Sequence, residues 1–197
     1  VTLMHKGNIM KFTEGGFRKW GYEAAFDCFG DRMITEDVLY TRYEGVVPDG
    51  HVVVRDRIAD MVFADVLLKP DQYDIIACPN LNGDYISDAL AAQVGGLGMA
   101  PGANIGDACA VFEATHGTAP DIAGKDAANP CSLMLSGAMM LDHLGWHAAG
   151  DAVRRAVGLA LAGGRVTSDL ADQIPGAKAV SCSKFSQIVM ENLFVTA

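Results

Sequence analysis

The sequence predicts an α/β fold, and three observations predict it. Short apolar runs (VTLMH at 1–5, HVVVR at 51–55, DIIAC at 74–78, AVFEA at 110–114) alternate with longer stretches whose apolar residues recur every three or four positions. That is the pattern of strands joined by crossover helices. Turn formers punctuate the alternation at Lys6-Gly7-Asn8, at Pro48-Asp49-Gly50 and from Pro79 to Gly83. Half of the 197 residues are apolar and a fifth are charged, the balance of a chain that folds around a core.

The elements follow in order. Residues 1–5 read as a buried strand. Thr13 is placed to cap a helix carrying Phe17, Trp20, Tyr22 and Phe26, and Gly30 to end it. Residues 31–50 are polar and turn-rich. After the HVVVR strand, residues 56–69 space Ile58, Met61, Val62, Val66 and Leu67 as one helical face, and Pro70 stops it. A helix is expected over 84–94. The stretch GGLGMAPGANIG (95–106) holds five glycines and a proline and reads as a domain boundary or hinge. A loop spans 115–130. Helices are expected over 131–144, 147–162 and 183–193, with a short strand at Val166-Thr167. Met134, Met139, Met140, Trp20 and Trp146 fall at helical spacings and are expected in the core.

Composition excludes several roles. The net charge is −9, and no run of Lys and Arg exists to neutralise phosphates, so no nucleic-acid partner is expected. No apolar run reaches the ~18 residues of a membrane span. The start, VTLMHKGN, lacks the regions of a secretory signal. Five widely spaced cysteines without a CxxC pair favour reduced thiols and a cytoplasmic location. GxGxxG, GxxxxGK[ST], HExxH and GxSxG are all absent. A bound nucleotide is therefore not held in the Rossmann or P-loop manner.

Two constellations carry possible chemistry. Asp84 and Asp88 lie four residues apart on an expected helix and share one face. They form either a solvated acidic face or two oxygen donors for Mg²⁺ or Mn²⁺. They follow NLNG at the carboxyl end of an apolar strand, where α/β folds place ligands. His116, within EATHGTAPD, follows another strand. It is either a structural loop histidine or a contact to a flat ligand that the neighbouring glycine admits.

Long motifs then decide between these readings. KGNIMKFTEG (6–15), NLNGDYISDALAAQVGGLGMAPGANIGD (80–107), EATHGTAPDIAGKDAANP (113–130) and the tail from 177 to 193 closely resemble bacterial-type homodimeric isocitrate dehydrogenases. These are decarboxylating β-hydroxyacid dehydrogenases. The resemblance covers essentially the whole chain but only the C-terminal half of a family member. It implies the isopropylmalate/isocitrate dehydrogenase-like α/β fold, incomplete here. Residues 1–94 would be part of a small α/β domain, and 95–197 part of a large nucleotide-binding domain. It implies oxidation of isocitrate to 2-oxoglutarate by hydride transfer and decarboxylation, with a divalent metal polarising the hydroxyl. Asp84 and Asp88 would be metal ligands of one subunit. Asp60 would be a third ligand and catalytic residue, reaching in from the other subunit of a homodimer. Lys6 would act on the substrate hydroxyl from across the same interface, and Asn8 would orient substrate carboxylates.

The resemblance also maps the cofactor site. It runs from Glu113 through Thr115, His116, Gly117, Ala119, Asp121 and Ile122 to Ala128, Asn129 and Asp169. NADP-using members carry Lys-Tyr where this chain has Asp121-Ile122, and Tyr and Arg where it has Ser168 and Asp172. Asp121 would accept bonds from free ribose hydroxyls and repel a 2′-phosphate. Ala128 fits the NAD-using pattern, and the expectation is therefore NAD⁺ over NADP⁺. The family's substrate arginines and acid tyrosine lie in its N-terminal half, so these 197 residues alone are expected to show little oxidation. Two other readings remain open. One is a sister enzyme acting on homoisocitrate or an isopropylmalate-like acid. The other is a non-catalytic subunit of the same fold.

Overall fold

The computed structural model describes residues 1–194. The chain divides into two compact units, Val1–Ser87 and the remainder from Asp88, with the division inside one helix.

The first unit is built on a four-stranded parallel sheet in the order β2-β3-β1-β4. These strands are β1 (Thr2–His5), β2 (Met33–Thr35), β3 (Val52–Ile58) and β4 (Ile76–Ala77). β1 is central and buried at every residue, including the polar Thr2 and His5 at its ends, as a strand covered on both faces is. Thr2 pairs with Arg55 on one side and with Ile76 on the other. Three helices complete the unit: α1 (Glu14–Phe29), α2 (Glu36–Tyr43) and α3 (Ala59–Leu68). Met4, Val54 and Val62 are its most deeply buried apolar side chains. α4 (Asn80–Gln93) then leads into the second unit.

The second unit holds an antiparallel hairpin, β5 (Pro101–Ile105) with β6 (Ala110–Ala114). Around it stand α5 (Cys131–His143), α6 (His147–Ala162), the short α7 (Ser168–Ala171) and α8 (Cys182–Leu193). β7 (Arg165–Val166) and β8 (Lys178–Ala179) form a small parallel pair. Its core is Cys131, Ala156, Val157, Ala160, Val166, Leu170, Phe185 and Val189, contributed chiefly by α5, α6 and α8.

The α/β class holds, and several local expectations need correction. β2 and α2 lie within the segment read as polar and turn-rich. β2 has only three residues, and α2 buries only Leu39, so neither leaves a clear period. Thr35 caps α2 by accepting from the Val38 N–H at 3.3 Å. Thr13 does not cap α1 through its side chain, whereas Gly30 ends that helix at φ +55°, a conformation glycine adopts without strain. Part of 95–106, read as a hinge, folds as β5. Trp20, Trp146 and Met140 are exposed, not core. Helical spacing tells which residues share a face, and not whether another element covers that face.

Candidate functional site

In the first unit, three parallel strands deliver their following residues to one edge. Lys6 follows β1, Asp60 lies in the first turn of α3, which begins directly after β3, and Asp84 lies on α4 beyond β4. Carboxyl ends of adjacent parallel strands are where α/β sheets bind ligands. Lys6 Nζ donates to Asp60 Oδ1, joining residues 54 positions apart in sequence. The Asp60 carboxyl sits below its ordinary range because the Lys6 ammonium bonds it first and its own backbone second. Asp60 is 67% exposed, so the pair faces outward. Asn8 is exposed in the turn just after Lys6.

Asp84 and Asp88 are exposed one turn apart on α4. Two unburied carboxylates in this relation suit a hard, oxygen-preferring dication that keeps water among its ligands. Among the described residues no group of three or more His, Cys, Asp or Glu converges on one point. The pair fits a metal that takes its remaining ligands from elsewhere.

The turn after β1 is tightly organised by residues without a sequence signal of their own. Glu14 Oε2 accepts from the backbone N–H of Lys6 at 2.5 Å and from the Asn82 side-chain amide at 2.9 Å. His5 accepts from the Gly7 N–H through Nδ1 at 2.9 Å. Sequence reasoning missed Glu14 and His5 as site residues, although both border or lie within KGNIMKFTEG.

In the second unit a cavity of about 540 Å³ opens beside the 115–130 loop. Seven of the expected cofactor residues line it: His116, Gly117, Ala119, Ile122, Ala128, Asn129 and Asp169. Ser168 and Asp172 join them, as do Leu97, Gly98 and Ala127, which the sequence did not single out. Glu113, Thr115 and Asp121 are not among the lining residues. Glu113 accepts from Asn104 at 2.8 Å, Thr115 Oγ1 donates to the Ala100 carbonyl at 3.1 Å, and Asp121 stands exposed in a 3₁₀ turn.

Asn129 is buried, and its amide is used internally. It donates to Asp169 at 2.9 Å and accepts from the Cys131 N–H at 3.0 Å, which ties α7 to the start of α5. A Cβ on Gly98 would come within 2.8 Å of the Asn129 Cβ, so the close approach requires glycine. Ala119 holds φ +43°, a left-handed conformation that costs a residue with a Cβ about 1–2 kcal/mol. Strain of that kind accumulates where a loop is held to shape a ligand site.

Comparison with known proteins gives the site its context. The family model described as isocitrate/isopropylmalate dehydrogenase matches residues 1–189. An isocitrate dehydrogenase [NADP] of Archaeoglobus fulgidus is 52% identical over 98% of this chain and 47% of its own length. One of Pseudomonas aeruginosa is 50% identical over 98% and 46%. The chain thus spans about half the length of the curated relatives it matches. The crystal structure of isocitrate dehydrogenase from Methylococcus capsulatus superposes with a TM-score of 0.79 at 35% identity, covering 98% of this chain and 50% of that one. A β-decarboxylating dehydrogenase from Thermococcus kodakarensis superposes at 0.74 with 32% identity, covering 98% and 48%.

These relatives overturn the expectation of NAD⁺, because those about 50% identical carry NADP in their names. Selectivity for a 2′-phosphate is a difference between two affinities, to which every nearby charge contributes. Of the residues on which the expectation rested, Asp121, Ile122, Ala128, Ser168 and Asp172, the two carboxylates are exposed. Water and salt screen the repulsion of such carboxylates, and Asp121 does not line the cavity. Fold, motif and matched length agree throughout: the chain belongs to the isocitrate/isopropylmalate dehydrogenase family.

Proposed function

We propose that this chain is the part of an NADP-using isocitrate dehydrogenase that carries the metal carboxylates, the catalytic lysine and the adenosine pocket. One observation carries the reading: Lys6 and Asp60, far apart in sequence, meet at the carboxyl edge of the parallel sheet. The division of labour follows the chain. Residues 1–94 supply the catalytic face and residues 95–197 the nucleotide face.

Asp84 and Asp88 of one copy, with Asp60 of a second, would hold Mg²⁺ or Mn²⁺. Bound there, such an ion would supply a Lewis acid that polarises the substrate hydroxyl and offsets the negative charge developed on decarboxylation. Lys6 accepts the proton released by the substrate hydroxyl, directly or through a water. Asp60 holds the Lys6 ammonium in the resting structure, and the side chain must give up that proton and become the neutral amine before it can act as the base. Asn8 offers its amide to a substrate carboxylate. The cavity beside the 115–130 loop takes the adenosine, with His116 against it and Asn129 fixing the loop's exit. Dimerisation follows from this arrangement, since Lys6 and Asp60 serve a neighbour's metal. Five free cysteines suit a reducing compartment, and no described helix is long and apolar enough to cross a membrane.

The test uses the full-length protein that contains this chain. With isocitrate and Mn²⁺ it should reduce NADP⁺, and Asp84→Asn with Asp88→Asn should abolish Mn²⁺ binding measured by calorimetry. Sedimentation should show a dimer. No isocitrate-dependent reduction, or unchanged Mn²⁺ affinity in the double variant, would sink the proposal.

A further inference from the structure

We propose that Glu14 and His5 are positioning residues for Lys6, clamping the main chain of its turn from two sides. The inference rests on the reading of Lys6 as the group that acts on the substrate hydroxyl. A lysine ammonium at the end of a four-carbon stem is placed only as well as the backbone that bears it. Here every polar backbone group of Lys6 is engaged. Its N–H donates to Glu14 Oε2 at 2.5 Å. Its carbonyl accepts from the N–H groups of Ile9 and Met10 at 3.0 and 2.9 Å. The next N–H, of Gly7, donates to His5 Nδ1.

The second anchor fixes a tautomer. A backbone N–H can only donate, so His5 Nδ1 must be the bare, accepting nitrogen. The proton therefore sits on Nε2 and is donated to Asp56 Oδ2 at 3.0 Å. The other oxygen of Asp56 accepts from Tyr22 at 2.9 Å and from Arg18 Nε at 2.9 Å, so the acceptor is itself held. The His5 side chain is 5% exposed, and the imidazole has nowhere to turn. A doubly protonated ring would set Nδ1–H against the Gly7 N–H and release the turn.

The first anchor reaches further. The same Glu14 oxygen also accepts from Asn82 in the first turn of α4. Glu14 thus couples the Lys6 turn to the start of the helix that carries Asp84. Steric demand supports the clamp: a Cβ at Gly7 would lie 2.8 Å from Gly15 Cα and 3.0 Å from His5 Nδ1. Loss of either anchor lets the ammonium drift from Asp60, and small misplacement of a reacting group lowers turnover by about tenfold or more.

Two arms test this. In the wild-type chain, ¹⁵N spectroscopy should show His5 neutral with Nε2 protonated, and the Lys6 and Gly7 amides should exchange slowly with solvent. Glu14→Ala should free the Lys6 amide, whereas Glu14→Gln keeps an accepting oxygen and its protection. His5→Ala should free the Gly7 amide, and His5→Asn, whose Oδ1 can take the place of Nδ1, should protect it again. In the full-length enzyme, Glu14→Ala should lower kcat about tenfold, leaving the KM for NADP⁺ unchanged. Glu14→Gln should restore most of the rate. Protonation at His5 Nδ1, or fast exchange of both amides in the wild type, overturns the inference whatever the activity. So does a Glu14→Ala enzyme of full kcat, or a folded Glu14→Gln enzyme as slow as Glu14→Ala. A full-length protein with no isocitrate activity but an intact first arm overturns the proposed function instead and leaves the clamp supported.

Discussion

Replacing Ser136 with alanine tests how the β5–β6 hairpin is held against α5. Ser136 is fully buried on α5. Its Oγ accepts from the Gly102 N–H on β5 at 3.1 Å. It also lies within donating distance of the Glu113 carbonyl on β6, at 2.7 Å, and of the Ser132 carbonyl, at 2.8 Å. A hydroxyl has one proton, so it donates to one of these carbonyls at a time. Alanine removes both kinds of bond and leaves the Gly102 donor facing a methyl group. A net hydrogen bond contributes about 1 kcal/mol and an orphaned donor costs about 1–3 kcal/mol, so the loss should be about 2–4 kcal/mol. Ser132 is the control. It is equally buried, but it only donates to the Ala100 carbonyl, so its removal orphans no N–H and should cost about 1 kcal/mol. Urea unfolding followed by circular dichroism gives both values from the shift in midpoint at constant slope. Amide exchange at Gly102 should quicken only in Ser136→Ala. A Ser136→Ala loss no larger than that of Ser132→Ala, with equal slopes, would refute the reasoning.

Three further outcomes are expected. Phe185 is wholly buried in the α5–α6–α8 core, so Phe185→Ala should cost about 3–5 kcal/mol in the same unfolding experiment, and a loss under about 1 kcal/mol would contradict the packing described. Burial, with Asp169 and Cys182 adding to it, pushes the Cys131 thiol up to about 12; alkylation followed by mass spectrometry should label the exposed Cys28 and Cys109 first and Cys131 only on unfolding. Glu36 is held below its ordinary 4.5 by its bonds to Arg57, against the opposing effect of burial. The unfolded chain then binds the proton more readily, so this contribution is fully present above about pH 4.5 and fades as pH falls through the lower native value. Glu36→Gln should flatten that acid limb of the stability curve, and an unaltered limb would show that the Arg57 pair is not its source.

Much of the architecture was legible in sequence because its causes are local. The apolar stretches Leu3-Met4 of β1 and Val52–Val54 of β3 mark strands of the parallel sheet, although β1 is buried throughout and β3 buries only Val54. The apolar period of α6 gave its span, and Gly30 marked the end of α1. β2 and α2 were not legible, because a three-residue strand and a helix with one buried side chain leave almost no pattern. Trp20 and Trp146 show the converse failure, a clear period on faces that no described element covers. For the site, seven of the ten expected nucleotide residues line one cavity. Six of them lie in the single stretch 116–129, and one loop folds near itself; the seventh, Asp169, comes from α7.

What the sequence by itself determined is therefore the α/β class, the longer strands and helices with a clear apolar pattern, and the motifs that bear Lys6, the carboxylates and the 115–130 loop. Only the tertiary structure decided that Lys6 meets Asp60, that Asp56 receives His5, and that Glu14 bridges Lys6 and Asn82. Each of the three depends on where parallel strands fall in the order β3-β1-β4 or on how α1 packs against them. Local propensity carries no information about that order, because it arises from burying distant segments together. The same limit explains the cofactor. Asp121, Ile122, Ala128, Ser168 and Asp172, each read in isolation, pointed away from a 2′-phosphate, whereas discrimination is set by all the charges that a fold gathers around such a group.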